Sequence, residues 1–183
     1  NADGDALGST LAWYHFLCQK GHEAVVISPN DYPDFLKWLP GEDEILKQNQ
    51  KPLEVQEKIL NADLIFTLDF NALGRVQELT DLIRKAPGEK IMIDHHEAPE
   101  SYASLQYSDP SMSSTCEMVY KVIQALDETA FNKEIASCLY TGIMTDTGSF
   151  RYSATTSETH LAISHLIRAG ADGTEIHQKI YDS

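Results

Sequence analysis

Apolar residues recur at helical spacing from about Gly4 to Lys20, and the stretch closes on Gly21, so the chain opens at the start of a helix. The run Ala24-Val25-Val26-Ile27 that follows reads as a strand. Pro33, Pro40 and Gly41 then punctuate the chain, leaving at most a short helix over Asp34–Leu39, with a second short helix over Pro52–Leu60. Leu64-Ile65-Phe66-Thr67-Leu68 and Ile91-Met92-Ile93 are nearly unbroken apolar runs, the pattern of strands buried on both faces, and each ends on a carboxylate, Asp69 or Asp94. Between them Leu73–Lys85 has helical spacing and stops at Pro87-Gly88, which completes a strand–helix–strand crossover. Leu105–Tyr107 reads as a further strand. Helices are expected over Thr115–Leu126, Lys133–Thr145, Ser157–Ala169 and Thr174–Tyr181, with Asn132 capping the second and Thr155, Thr156 or Ser157 the third.

Strands alternating with helices predict an α/β fold, a three-layer α/β/α domain with a mainly parallel sheet, in which ligands bind beyond the carboxyl ends of the strands. That rule singles out the loops holding Asp69 and Asp94. The length of 183 residues sets one domain, and a composition 42% hydrophobic and 23% charged supplies it with a core. No run approaches the roughly 20 apolar residues that cross a bilayer. Asn1-Ala2-Asp3-Gly4-Asp5 also lacks the basic-then-apolar pattern of a signal peptide, so the expectation is a cytoplasmic protein with no membrane partner. Cys18, Cys116 and Cys138 lie far apart in apolar-periodic stretches and read as reduced, buried thiols. A net charge of −14, with only 14 Lys and Arg against 28 Asp and Glu, argues against long duplex nucleic acid as a partner. A short nucleotide or other small phosphate compound is compatible with that charge if metal ions supply the positive charge locally.

Four segments are polar where a core would otherwise continue: Asp3-Gly4-Asp5, Asp69, Asp94-His95-His96, and Asp146 within Thr145-Asp146-Thr147-Gly148. Taken singly, each has an ordinary structural reading as a turn, a helix cap or a hydrogen-bonded loop. Together they are carboxylates and imidazoles, the ligands that suit divalent metals, and carboxylates gathered at one sheet edge repel one another unless cations sit between them. A dinuclear site answers that repulsion.

The motifs Asn-x-Asp-x-Asp-x-x-Gly-Ser (Asn1 to Ser9), Leu68-Asp69, Ile-Asp-His-His (Ile93 to His96) and Thr-Asp-Thr-Gly-Ser-Phe-Arg (Thr145 to Arg151), in that order, resemble the four catalytic motifs of the DHH phosphoesterases. Ser113-Ser114-Thr115, followed by Glu117, is similar to a segment of the family's oligoribonuclease and 3′-phosphoadenosine-5′-phosphate phosphatase branch. The resemblance implies a Rossmann-like DHH domain holding two Mn²⁺ ions, with Mg²⁺ or Co²⁺ as alternatives. It places Asp3 on one ion, Asp5, His95 and Asp146 on the other, and Asp69 across both. His96 is expected to act catalytically and to face the substrate, with Asp94 orienting an imidazole from behind. Ser9, in the first turn of the opening helix, and Arg151, whose planar fork suits two phosphate oxygens, are expected to bind substrate.

The family pattern also carries a histidine two positions before the residue matched by Asn1, a β-strand before that, and a smaller C-terminal domain. Residues 1–183 are therefore expected to be the DHH catalytic domain of a longer protein, without its first strand and its DHHA1-type substrate-binding domain. The activity implied is a manganese-dependent phosphoesterase that hydrolyses short oligoribonucleotides or nucleotide 3′-phosphates by two-metal activation of water. Rival readings stay open at this point. One is a pyrophosphatase, exopolyphosphatase or cyclic-dinucleotide phosphodiesterase of the same superfamily; another is a binding or regulatory module without chemistry. Oligomeric state is open too, with an oligomer allowed.

Overall fold

The computed structural model describes residues 4–70, 77–96 and 102–182. Helix α1 (Gly4–Gln19) leads into β1 (Ile27–Ser28), a 3-10 turn at Asp34–Leu36, a second at Glu42–Glu44, and β2 (Leu46–Lys47). Next come α2 (Pro52–Asn61), β3 (Leu64–Leu68), α3 (Gln77–Lys85), β4 (Glu89–Asp94) and β5 (Leu105–Ser108). Four helices follow: α4 (Thr115–Leu126), α5 (Lys133–Asp146), α6 (Ser157–Arg168) and α7 (Gly173–Tyr181). Residues 73–76 of the helix expected over Leu73–Lys85 lie outside the described residues.

The α/β class and the parallel sheet are as the alternation predicts. Strands β3, β4 and β5 form a parallel sheet in that order, with Leu68 opposite Ile93 and Asp94 opposite Ser108. β1 and β2 pair in parallel as a separate two-stranded unit. Side chains alternate across a strand, and β3 shows it: Phe66 and Leu68 join the large core cluster with α1, α4 and α5, whereas Ile65 joins a smaller one built on Val55, Ile59, Leu79 and Ile83 of α2 and α3. The sheet is thus covered by helices on both faces, which explains why its strands read as unbroken apolar runs.

The expected strand over Ala24–Ile27 contracts to Ile27–Ser28. Its backbone finds a partner only from Val26, whose carbonyl accepts from Leu46 N–H at 2.9 Å, while Val25 stays 42% exposed. The partner β2 is too short to leave a period in the sequence. β1 and β3 border a groove of about 410 Å³ lined by residues such as Trp13, Val25, Ile27, Ile65 and Phe66. Among the described residues β3 pairs only with β4, so its other edge opens on that groove. No helix among the described residues is long and apolar enough to cross a membrane.

Two glycines set how closely the central helices approach. A Cβ on Gly8 of α1 would stand 2.4 Å from the Cys138 carbonyl of α5, and one on Gly142 of α5 would stand 2.1 Å from Cys116 Sγ and 3.1 Å from Asp5 Cα. Only glycine admits this contact. It brings the first turn of α1, the first turn of α4 and the last turns of α5 together. The caps resolve as well: Asn132 caps α5 by accepting from Ile135 N–H at 2.9 Å, and of the three candidates for α6 it is Thr156 that forms a capping box with Thr159.

Candidate metal centre

The parallel register fixes where the polar segments meet. Leu68 lies opposite Ile93, and Asp69 N–H donates to the Ile93 carbonyl at 3.1 Å, so the ends of β3 and β4 deliver Asp69, Asp94, His95 and His96 side by side. Asp69 adopts φ 55°, a left-handed conformation that costs a non-glycine residue energy and turns its side chain sharply off the strand. Asp5 arrives from α1 and Asp146 from the last position of α5, two helices held together by the glycine contacts.

Asp5 and Asp69 are fully buried. The Asp5 carboxylate accepts from the first amides of α4, Thr115 N–H at 2.9 Å and Cys116 N–H at 2.8 Å, where the helix dipole also favours an anion. His95 Nε2 lies 2.9 Å from Asp146 Oδ2, 3.5 Å from Asp5 Oδ2 and 3.8 Å from Asp69 Oδ1. His96 Nδ1 lies 2.8 Å from Asp94 Oδ1 and 3.2 Å from Asp69 Oδ1, and the same Asp94 oxygen accepts from His96 N–H at 2.9 Å. Asp94 therefore grips the His96 ring on its Nδ1 side.

The electrostatics are those of a cation site. Burial, then the charges of Asp69 and Asp146, raise the Asp5 carboxyl well above the ordinary aspartate range, with the Cys116 and Thr115 amides opposing. Burial works against a charged His95, yet the hydrogen bond and charge of Asp146, with Asp69 behind it, raise its pKa overall. Both shifts favour the protonated forms of Asp5 and His95, and a divalent ion bound there would compete with those protons.

Two groups of side chains could each hold such an ion, Asp69–His95–His96 and Asp5–His95–Asp146, the ligand atoms of each lying within 4.8 Å of one another. Their donors are carboxylate oxygen and imidazole nitrogen, which suit Mn²⁺, Mg²⁺ or Co²⁺. Cys116, the nearest thiol, is buried with Sγ on the Asp5 and Cys138 carbonyls, and burial raises its pKa so that it stays protonated. The second group is the set expected for one ion. The first adds His96, which the sequence reading reserved for substrate, and His95 belongs to both. Asp3 lies outside the described residues.

The two expected phosphate contacts each make a local hydrogen bond. Ser9 is fully buried and its hydroxyl donates to the Ala6 carbonyl at 3.2 Å within α1. Arg151 Nε donates to the Gly148 carbonyl at 2.5 Å, closing a turn in which Gly148, Ser149 and Phe150 all take positive φ. One residue the sequence reading left without a role does reach the site: Thr115 Oγ1 donates to Asp69 Oδ1 at 3.2 Å and accepts from His95 N–H at 3.2 Å.

With this fold and site in place, the chain belongs to the DHH family: the model of that family's N-terminal domain matches residues 1–143. It is similar to the bifunctional oligoribonuclease and PAP phosphatase NrnA of Thermus thermophilus, 34% identical over 178 residues, 97% of this chain and 50% of that protein. The Bacillus subtilis protein of the same name is 34% identical over 110 residues, covering 58% of this chain and 35% of its own length. A crystal structure of an exopolyphosphatase-related protein from Bacteroides fragilis superposes with a TM-score of 0.95 at 44% identity, over 99% of this chain and 54% of that one. The chain thus spans about half the length of the relatives it matches across its whole extent.

Proposed function

We propose that the chain is the catalytic domain of a manganese-dependent phosphoesterase that hydrolyses short oligoribonucleotides and nucleotide 3′-phosphates such as 3′-phosphoadenosine-5′-phosphate. The observation that carries the proposal is the convergence of Asp5, Asp69, His95 and Asp146 at one end of the parallel sheet, together with membership of the DHH family and similarity to proteins named for these activities. Two bound divalent ions would activate water and offset charge on the phosphoryl oxygens.

The chain's own residues do the rest. Asp5, His95 and Asp146 would hold one ion and Asp3 the other, with Asp69 contributing to both. Because Asp94 holds the Nδ1 side of the His96 ring, Nε2 is the nitrogen available to present a proton to the departing oxygen. The His96 side chain is 42% exposed, against 15% for His95, as a group that meets substrate requires. If His96 instead completes the Asp69 group on an ion, its replacement weakens metal binding as well as turnover, and titration of His96→Ala with Mn²⁺ separates the two roles. Burial of Ser9 leaves substrate contacts to the ions, to His96 and to Arg151, whose Nε bond to Gly148 leaves its two Nη groups to meet phosphate oxygens. The groove between the edges of β1 and β3 suits the strand that the family pattern places upstream of Asn1. Three free cysteines and an acidic surface suit a reducing, cytoplasmic setting.

A test uses the intact protein with Mn²⁺ and a panel of short RNA, 3′-phosphoadenosine-5′-phosphate, pyrophosphate, polyphosphate and a cyclic dinucleotide. Turnover of the first two is expected, and Asp69→Asn should abolish nearly all of it. Polyphosphate is the second reading, favoured by the name of the Bacteroides fragilis structure, and turnover of polyphosphate or pyrophosphate alone would replace the nucleotide assignment.

A further inference from the structure

The segment Ser113-Ser114-Thr115-Cys116-Glu117 offers no ligand to either ion group, yet every residue in it is 4% exposed or less. Its contacts explain that burial. Ser114 caps α4 by accepting from Glu117 N–H at 3.0 Å, which aims the next two amides at Asp5. Glu117 accepts from Ser113 Oγ at 2.8 Å and from the Thr159 hydroxyl of α6, so the first turn of α4 is clamped to a neighbouring helix. Within this rigid turn, Thr115 alone touches three of the four carboxylate and imidazole segments. Its N–H holds Asp5, its hydroxyl proton goes to Asp69, and its oxygen receives the His95 amide.

A hydroxyl has one proton to give and two lone pairs to receive with, so a single side chain can join Asp69 at the end of β3 to His95 beyond β4. The bonds to Asp69 and from the His95 amide hold that hydroxyl in one place. The carboxylates it ties down repel one another in the metal-free site, and Asp69 does so from a left-handed backbone that does not fix itself. We propose that Thr115 is the positioning residue of the metal centre: its hydroxyl sets Asp69 relative to His95, and with them the spacing of the two ion positions, without touching ion or substrate. This rests on the metal-dependent reading above.

The experiment titrates the intact protein with Mn²⁺ alone, following loss of the free-ion EPR signal, in wild type, Thr115→Val and Thr115→Ser; urea unfolding of each metal-free protein is measured alongside. Valine keeps the shape and removes the hydroxyl, while serine keeps the hydroxyl. Thr115→Val is expected to weaken Mn²⁺ binding by about 10- to 100-fold, the usual loss when a partner of a metal ligand is removed. Thr115→Ser should restore most of it. A residue with a merely structural role would move the metal-free urea midpoint and leave the affinity of the folded protein unchanged. Unchanged affinity in Thr115→Val, or affinity in Thr115→Ser as weak as in Thr115→Val, overturns the positioning role while the metal reading stands. If wild type itself takes up no Mn²⁺, the metal reading fails and the proposal falls with it. Should Thr115→Val not fold, Thr115→Ala removes the same hydroxyl in less volume and is judged by the same outcomes.

Discussion

Asp5 and His95 make the metal-free protein sensitive to pH in one direction. The Asp5 carboxyl is raised well above its ordinary value of 3.8, so as pH climbs past that value the unfolded chain ionises while folded Asp5 stays protonated, and stability falls. His95 is raised above 6.5, so the stability it contributes is present below that pH and is lost as pH rises through its folded value. Both act with the same sign. The metal-free chain should therefore be less stable at pH 8 than at pH 6 in urea titrations, and saturating Mn²⁺ should reverse that order because the ion displaces both protons. Calorimetry in buffers of different ionisation enthalpy should show proton release on binding, and its absence would mean that the site is already deprotonated. Single residues were legible where a charge interrupted an apolar run. Asp69, Asp94, His95, His96 and Asp146 stand out that way, and the structure brings them together. Thr115 stood out only as part of the Ser113-Ser114-Thr115 segment and without a role, because a threonine at a helix start is ordinary and only its three partners, distant in sequence, give it one. Ser9 and Arg151 were named for types that suit phosphate; the Ser9 hydroxyl bonds a helix carbonyl, and Arg151 bonds a turn carbonyl through Nε alone.

At the scale of elements, the site depends on how closely α1, α4 and α5 pack. Gly142→Ala places a methyl 2.1 Å from Cys116 Sγ, so overpacking should cost about 1–3 kcal/mol, read from urea unfolding with an unchanged slope. Cys116→Ala removes the obstructing sulfur, and the double variant should recover part of that loss; a purely additive result would show that the strain lies elsewhere, the Cys116 Cβ at 3.0 Å, which alanine retains, and the Asp5 Cα at 3.1 Å being the next neighbours. Asn132→Ala, by contrast, should cost about 1 kcal/mol through the lost α5 cap and leave Mn²⁺ affinity unchanged, since that cap lies at the far end of the helix from Asp146. The helices were legible to within about a turn, because their periodicity and caps are local. β1 was legible only at Ile27 and β2 not at all, because two-residue strands carry no period and are defined only by each other. The apolar residues Ala24 and Val25 read as a strand but border the groove, where no described residue pairs with them.

For the whole molecule, charge decides what kind of phosphate compound it can approach. The chain carries −14 formally, and Lys20, Lys37, Lys47, Lys51 and Lys179 are each ion-paired with a nearby carboxylate. A protein that grips a duplex does so by displacing counterions with clustered lysine and arginine, and loses about 10³–10⁵ in affinity between 50 and 200 mM salt. A net charge of −14 disfavours a broad basic surface, so on the function proposed above attraction for a phosphate would come from ions held by Asp5, Asp69, His95 and Asp146. Binding of a short oligoribonucleotide should then vanish with EDTA and return with Mn²⁺, and should change by less than about tenfold over the same salt range, since few counterions are released. Fluorescence anisotropy with a labelled short RNA and a labelled duplex, each with and without EDTA, separates the cases. Tight, EDTA-insensitive binding of the duplex would mean that a basic surface outside the described residues, and not the metal centre, recruits the substrate.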